Sequence, residues 1–128
     1  MRTEKRKIGD VGEGIACKFL MKHGYEIVER NYLRKWGEID IVSKRSGKLI
    51  FVEVKTIVGD LSVIRETLDN WRAEDNIHIG KLKRLSRIIQ TYLLERGYEG
   101  EWQFDVVTVT LDQTKIRTKV QHLKDIVL

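Results

Sequence analysis

Apolar and charged positions alternate along Gly37-Glu38-Ile39-Asp40-Ile41-Val42-Ser43 and again along Leu49-Ile50-Phe51-Val52-Glu53-Val54-Lys55. Both runs are rich in β-branched residues, and Lys44-Arg45-Ser46-Gly47-Lys48 between them is turn-forming, so they predict a β-hairpin. A two-residue loop at Ser46-Gly47, with Gly47 supplying a positive φ, sets Arg45 across from Lys48. Counting outward from that turn puts Asp40 across from Glu53. Side chains alternate with period two, so Asp40, Glu53 and Lys55 are expected on one face. Ile39, Ile41, Ile50, Val52 and Val54 would fill the other, while Val42 and Phe51 share the face of the charges. Strands covered on both sides belong in a sheet packed by helices.

The flanking segments supply those helices and more strands. From Ile8 to Gly24 the periodicity is helical, with Ile8, Val11, Ile15 and Phe19 as the apolar stripe, Ala16 and Leu20 beside it, and Gly24 at the C′ position. Gly9, Gly12 and Gly14 weaken that helix and point to a close approach of backbone to backbone or of backbone to a phosphate, or else to a helix that starts later than Ile8. Tyr25–Tyr32 reads as a first strand. Leu82, Leu85, Ile89 and Leu93 mark a second helix from Gly80 to Arg96, stopped by Gly97. Trp102–Leu111 predicts a strand that the helical crossover sets parallel to the Lys55 strand, and Ile116–Leu123 predicts a last, edge strand. The order is α-β-β-β-α-β-β, an α/β protein with a mixed central sheet of about five strands flanked by helices, residues 1–128 forming a single domain. Thr56 to His78 holds many charges and few apolar anchors, a connection long enough to suggest a functional loop that closes over a site.

Composition narrows the classes. The 128 residues suffice for one core without staples, and 41% hydrophobic content is ordinary for a globular protein. The single cysteine, Cys17, excludes an internal disulfide, and no Cys/His spacing suggests zinc. Cys17 reads as a small helix residue, and His23, His78 and His122 as packing or surface residues. No apolar run reaches membrane-span length and residues 1–7 lack a signal-peptide core, so a cytoplasmic protein with no membrane partner is expected. The net charge of +5 is unevenly spread, with clusters at Arg34/Lys35, Lys44/Arg45/Lys48 and Lys81/Lys83/Arg84/Arg87. Lys83 and Arg87 share one side of the second helix. Near Trp36 and Trp71 such clusters suit phosphate contact and base stacking, although solubility alone also accounts for basic runs.

The carboxylates carry the chemistry. Asp40 and Glu53 placed opposite each other would have Cα atoms roughly 4.5–5.5 Å apart, and like charges there destabilise a sheet. A bridging divalent cation explains the pair most simply. Charged strand residues usually face solvent, but half-buried carboxylates are rarely left without a cation or a hydrogen-bond donor. Glu13, at the margin of the first helix's stripe, is placed to reach over the sheet edge and add a third acid, or else to be a salt-bridged rim residue. Mg2+ or Mn2+ suits such an all-oxygen set.

Together Gly9-x-x-Gly12-Glu13-x-x-Ala16-x-x-Phe19-Leu20, Gly24-Tyr25, Arg30-Asn31, Gly37-Glu38-Ile39-Asp40, Phe51-Val52-Glu53-Val54-Lys55 and Phe104-Asp105 resemble the YraN-like family of small bacterial proteins, in the PD-(D/E)XK nuclease superfamily. The resemblance spans nearly the whole chain. It implies a restriction endonuclease-like core, metal-binding acids at Asp40 and Glu53, the lysine at Lys55 and the helix-borne glutamate at Glu13. Two positions depart from the pattern: Ile57 and Gln103 stand where the family commonly carries arginine.

The expectation is a metal-dependent nuclease cutting phosphodiester bonds in DNA, branched or structured DNA included. Asp40, Glu53 and Glu13 would be metal ligands, and Lys55 would orient the water and offset transition-state charge. Arg34, Lys35, Lys44, Arg45, Lys48, Lys83 and Arg87 would be nucleic-acid contacts. RNA as substrate and a homodimer stay open. Two alternatives stand beside this reading: a nucleic-acid-binding module on the same fold with vestigial acids, and a basic protein-interaction subunit.

Overall fold

The computed structural model describes residues 3–59, 79–112 and 117–128. Helix α1 spans Glu4–Lys22, β1 Glu26–Arg34, β2 Gly37–Arg45, β3 Lys48–Val58, α2 Ile79–Arg96, β4 Trp102–Asp112 and β5 Arg117–Leu123. The five strands form one sheet in the order β1-β2-β3-β4-β5. Only the β3–β4 pair is parallel, as a helical crossover requires. This is the mixed α/β architecture and element order expected from the pattern. The segment expected to cap a site lies, from residue 60 to 78, outside the described residues, as do Trp71 and His78.

Local chemistry explains the boundaries. Thr3 caps α1 by accepting the Arg6 N–H at 3.2 Å, so the helix begins earlier than its apolar periodicity suggested. Gly24, at φ 87°, ends it in a Schellman turn in which the Tyr25 N–H reaches the Leu20 carbonyl at 3.0 Å. Gly97, at φ 61°, ends α2 the same way through Tyr98 and Leu93. At the hairpin tip Ser46 and Gly47 both have positive φ, 51° and 76°, and Arg45 pairs with Lys48. That is the primed two-residue turn whose twist matches its strands.

Each sheet face carries a core. Ala16, Cys17 and Leu20 of α1 pack on Ile41, Ile50, Val52, Val107 and Val109. Leu85, Ile88, Ile89 and Tyr92 of α2 pack on Tyr32, Val42, Phe51, Phe104 and Val106 of the other face. The buried stripe of α1 is rotated from the expected one. Gly12, Glu13, Ala16, Cys17 and Leu20 face the sheet, while Val11 is 52% exposed. The cause is contact distance: a Cβ on Gly12 would lie 1.9 Å from Thr56 Oγ1, so only glycine lets α1 cross β3 this closely. Gly9 and Gly14 have open space instead, and close approach explains only one of the three glycines.

Candidate functional site

The β2–β3 ladder runs from Arg45↔Lys48 to Ile41↔Val52 and stops, whereas β3 continues to Val58 in register with β4. Beyond Ile41 the two strands part, and Asp40 stands at the fork. Its Oδ2 accepts the Val54 N–H at 2.8 Å, taking the place a β2 carbonyl would have held. On the outer side Asn31, at φ 53°, lies between the pairs Arg30↔Ile41 and Tyr32↔Ile39. The β1–β2 register stays continuous across Asn31 and shifts instead between Ile27 and Glu29. The side alternation of β2 still breaks at Asp40: Ile39 joins the α2-side core while Ile41, two residues on, joins the α1-side core.

This break corrects the expected facing. Asp40 does not share a face with Glu53 and Lys55 in simple alternation. It lines a groove of about 1030 Å³ on the α1 side, together with Glu13, Asn31, Glu38, Val54 and Thr56. Glu53 lines a smaller recess of about 190 Å³ on the α2 side, with Gly37, Glu38, Lys81 and Arg84. Glu38 borders both, and the charge of Glu53 still acts on the Asp40 carboxyl. The β3–β4 register is unbroken, and period-two alternation puts Lys55 on the Glu53 side of β3.

Electrostatics tie these acids together. Burial lifts the Asp40 carboxyl from 3.8 to about 7; the Val54 N–H holds it down, and the charges of Glu53, Glu13 and Glu38 push it up further. Glu13 is buried, and its carboxyl is also raised by desolvation, against the opposing pull of Arg30 and Asn31. Each glutamate has a cationic neighbour in the chain: Arg30 Nε lies 3.3 Å from Glu13 Oε1, and Lys81 Nζ 3.2 Å from Glu53 Oε2. The second contact is an ion pair without hydrogen-bond geometry, so the buried Oε2 accepts no hydrogen bond. Among the described residues no three His, Cys, Asp or Glu side chains form a ready metal cage. The donor chemistry nonetheless fits Mg2+ or Mn2+, which need only one or two protein carboxylates and keep water or substrate phosphate in their remaining positions. The Asp40 carboxyl, lifted to about 7 chiefly by burial and further by Glu53, Glu13 and Glu38, gains from taking up either a proton or a cation.

The basic residues fall into two groups. Lys35 is exposed in the β1–β2 turn, and the exposed Arg87 lies over the Trp36 ring at 4.8 Å. The Trp36 indole N–H donates to Thr91 Oγ1 at 3.0 Å, which fixes the ring against α2. Lys83 is exposed on the same helix, and Lys5 and Arg6 flank the groove from α1. Arg34 is bound within the protein: its Nε and Nη2 donate to Glu95 at 3.0 and 2.5 Å, and that pairing together with Tyr32 holds Glu95 down to about 2. Lys44, Arg45 and Lys48 sit at the hairpin tip, with Arg45 over the Tyr25 ring at 5.1 Å. Five residues of strand, roughly 17 Å, separate that tip from Asp40.

The motif aspartate Asp105 lies elsewhere. It is fully buried and accepts from Gln103 Nε2 at 2.7 Å and the Asp125 N–H at 2.9 Å, and it pairs with His122 Nε2 at 2.7 Å. Gln103 thus serves a structural carboxylate. Burial pushes the Cys17 thiol up, in keeping with a packing role. Sequence reasoning gave no role to Glu38 or Asn31, and read Lys81 only as one of a basic cluster suited to phosphate contact. The spacing of Glu38 two residues before Asp40, and asparagine's tolerance of the left-handed region, were the available signals.

Helix, three-stranded meander, crossover helix and two further strands, with acids gathered where β2 leaves β3, define an α/β protein with a nuclease-like core. Residues 12–109 match the family described as Uncharacterised protein family UPF0102. A UPF0102 protein of Corynebacterium efficiens is 37% identical over 127 residues, covering 98% of this chain and 96% of the relative, so the likeness runs the length of both. One from Campylobacter jejuni is 38% identical over 104 residues, 81% of this chain and 84% of its own. One from Thermotoga petrophila is 37% identical over 98 residues, 77% and 82% respectively. The chain belongs to the UPF0102, or YraN-like, family. Among the described residues no helix is long and apolar enough to cross a membrane.

Proposed function

We propose that this protein is a divalent-cation-dependent nuclease that hydrolyses phosphodiester bonds in DNA, branched or structured DNA included. The observation that carries the reading is the placement of Asp40 at the mouth of the β2–β3 fork, held by the Val54 N–H at 2.8 Å in a groove shared with Glu13 and Glu38, where burial and the neighbouring acids lift its carboxyl to about 7. Such a carboxyl favours either a proton or a cation. Asp40 and Glu53 would hold Mg2+ or Mn2+, with Glu13 supporting from α1. When bound, the ion supplies Lewis acidity and neutralises charge at a phosphodiester.

The chain's own residues do the rest. The Val54 N–H orients Asp40 through its 2.8 Å bond, so the ligand needs no reorganisation on binding. Lys55 aligns the attacking water and offsets charge growing on the phosphoryl oxygens. Lys35, Lys83 and Arg87 bind the phosphate backbone beside Trp36, and Lys5 and Arg6 do so across the groove. A homodimer would serve two-strand cutting, and RNA presents the same phosphodiester. The test is a panel of branched, duplex and single-stranded substrates with Mg2+ or Mn2+, run for wild type, Asp40→Ala and Lys55→Ala. Metal-dependent cleavage lost in both variants, with binding retained in Lys55→Ala, is the expected result; equal cleavage by all three overturns it.

One observation favours a second reading, a binding module without catalysis. Glu13 and Glu53 already have protein cations beside them in Arg30 and Lys81. A binding module would hold the same substrates equally well in EDTA and would cut none of them.

A further inference from the structure

Lys81 is the resident cation of this site. It comes from the first turns of α2, and its ammonium stands 3.2 Å from Glu53 Oε2. The two partners differ in freedom: the Lys81 side chain is 42% exposed and the Glu53 side chain 15%. Glu53 is fixed on a central strand between β2 and β4, whereas a lysine carries its charge on a flexible four-carbon stem. The recess they share is bordered by Glu38 and Arg84, and on the adjoining surface Arg87 lies over Trp36.

We propose that Lys81 is an exchangeable counter-ion: it neutralises Glu53 in the metal-free protein, yields that oxygen to a divalent cation, and then binds a phosphate of the nucleic acid. This rests on the metal-dependent reading above and adds the coupling between its two ligands. A divalent cation and an ammonium cannot both stay on one carboxylate oxygen, because like charges at that distance repel strongly. The exposed partner is the one that leaves. Arg84 borders the recess itself and the exposed Arg87 follows one turn further along the helix, so a released ammonium is repelled there unless a polyanion is present. Metal and nucleic acid therefore favour each other's binding, and by linkage the effect is reciprocal.

Lys81→Met removes the ammonium and keeps the apolar stem. Calorimetric titration of the metal-free protein with Mn2+ should show Lys81→Met binding about fivefold tighter or more than wild type, the lower range of such couplings. Lys81→Arg retains the pair and should bind like wild type, as should Lys124→Met, which removes an exposed charge from the C-terminal tail. Binding of a single-stranded oligonucleotide should weaken in Lys81→Met when Ca2+ is present, with the salt slope shallower by about one, and should be unchanged in EDTA. Wild type binding Mn2+ with Lys81→Met no tighter overturns the role of Lys81 and leaves the metal site standing. Absence of Mn2+ binding by wild type and Lys81→Met alike overturns the metal reading itself. Far-UV circular dichroism checks that the variants fold, and Lys81→Gln, which also removes the charge and should also bind Mn2+ more tightly than wild type, keeps the comparison decisive if Lys81→Met does not fold.

Discussion

The Asp40 carboxylate accepts the Val54 main-chain N–H at 2.8 Å, across the point where β2 parts from β3. A side chain thereby closes a ladder that the backbone has abandoned, and the strands can separate without orphaning a buried donor. The bond also fixes the acid that the proposed chemistry needs.

That acid makes folding depend on pH in an unusual direction. Its carboxyl rises from 3.8 to about 7 on folding, chiefly through burial. Between about pH 4 and 7 the folded protein keeps a proton that the unfolded chain has lost. The stability this group contributes is complete below pH 4 and is lost as the pH rises through 7. A displacement of that size sets a ceiling of about 4 kcal/mol, lowered in practice by water in the groove. Asp40→Asn keeps an acceptor for Val54 and cannot ionise. In EDTA, urea denaturation should show wild type losing about 1–3 kcal/mol relative to Asp40→Asn from pH 4 to 8. Parallel stability curves would show the carboxyl to be unperturbed.

Asp105 should behave with the opposite sign. Burial acts to raise its carboxyl, but His122, the Asp125 N–H and Gln103 outweigh that and hold it below the ordinary value. Its contribution is therefore present above the unfolded value near 3.9 and is lost as the pH falls through the lower folded value. Asp105→Ala strips one partner from a buried, charge-assisted set and should cost about 3 kcal/mol at pH 7, less in acid. Thermal denaturation across pH 2–7 reads this. Mn2+ affinity should be unchanged, since Asp105 has no part in the fork.

The contrast at Gly12 and Gly14 isolates packing from propensity. Gly12→Ala sets a Cβ 1.9 Å from Thr56 Oγ1 and should destabilise by about 1–3 kcal/mol or more through overpacking. Gly14→Ala meets nothing within 4 Å and should stabilise α1 by up to about 1 kcal/mol. Thr56→Ala would leave a Cβ still 2.8 Å away, so rescue of Gly12→Ala needs Thr56→Gly. Urea midpoints of these variants decide the matter, and a neutral Gly12→Ala would show that α1 is free to move off the sheet.

These positions also show where sequence is readable. The hairpin register was legible because a Ser-Gly turn and period-two alternation are local rules, and Arg45 does pair with Lys48. Helix ends at Gly24 and Gly97 were legible for the same reason. The fork was not. Counting from the turn sets Asp40 across from Glu53, but the alternation of β2 breaks between Ile39 and Ile41, and Asp40 turns toward α1. The rotated face of α1 was hidden likewise, because Gly12 and Ala16 are chosen for contact distance and carry little apolar weight. Lys81 is 28 positions beyond Glu53 in the chain, so only the crossover's placement on the sheet brings them together.

The basic residues divide into those that can act with the fork and those that cannot, and substitution should separate them. Arg87, held over Trp36 at 4.8 Å, presents its guanidinium from α2 beside the recess that contains Glu53. Lys35 extends from the β1–β2 turn on the same end of the sheet. If the substrate backbone passes over the fork, Lys35→Ala and Arg87→Ala should each weaken oligonucleotide binding and reduce the salt slope by about one. Lys44→Ala, Arg45→Ala and Lys48→Ala remove the same charge roughly 17 Å of strand away and should leave cleavage of short substrates unaltered. Arg34→Ala is different in kind. Its guanidinium is bound to Glu95 and stacked on Tyr32 at 4.2 Å, so the loss should appear as lower stability with the salt slope unchanged. Affinity measured from 50 to 300 mM salt for all six variants discriminates the groups. A uniform loss across both ends of the sheet would mean that the whole basic surface binds nonspecifically and that the fork does not position its substrate.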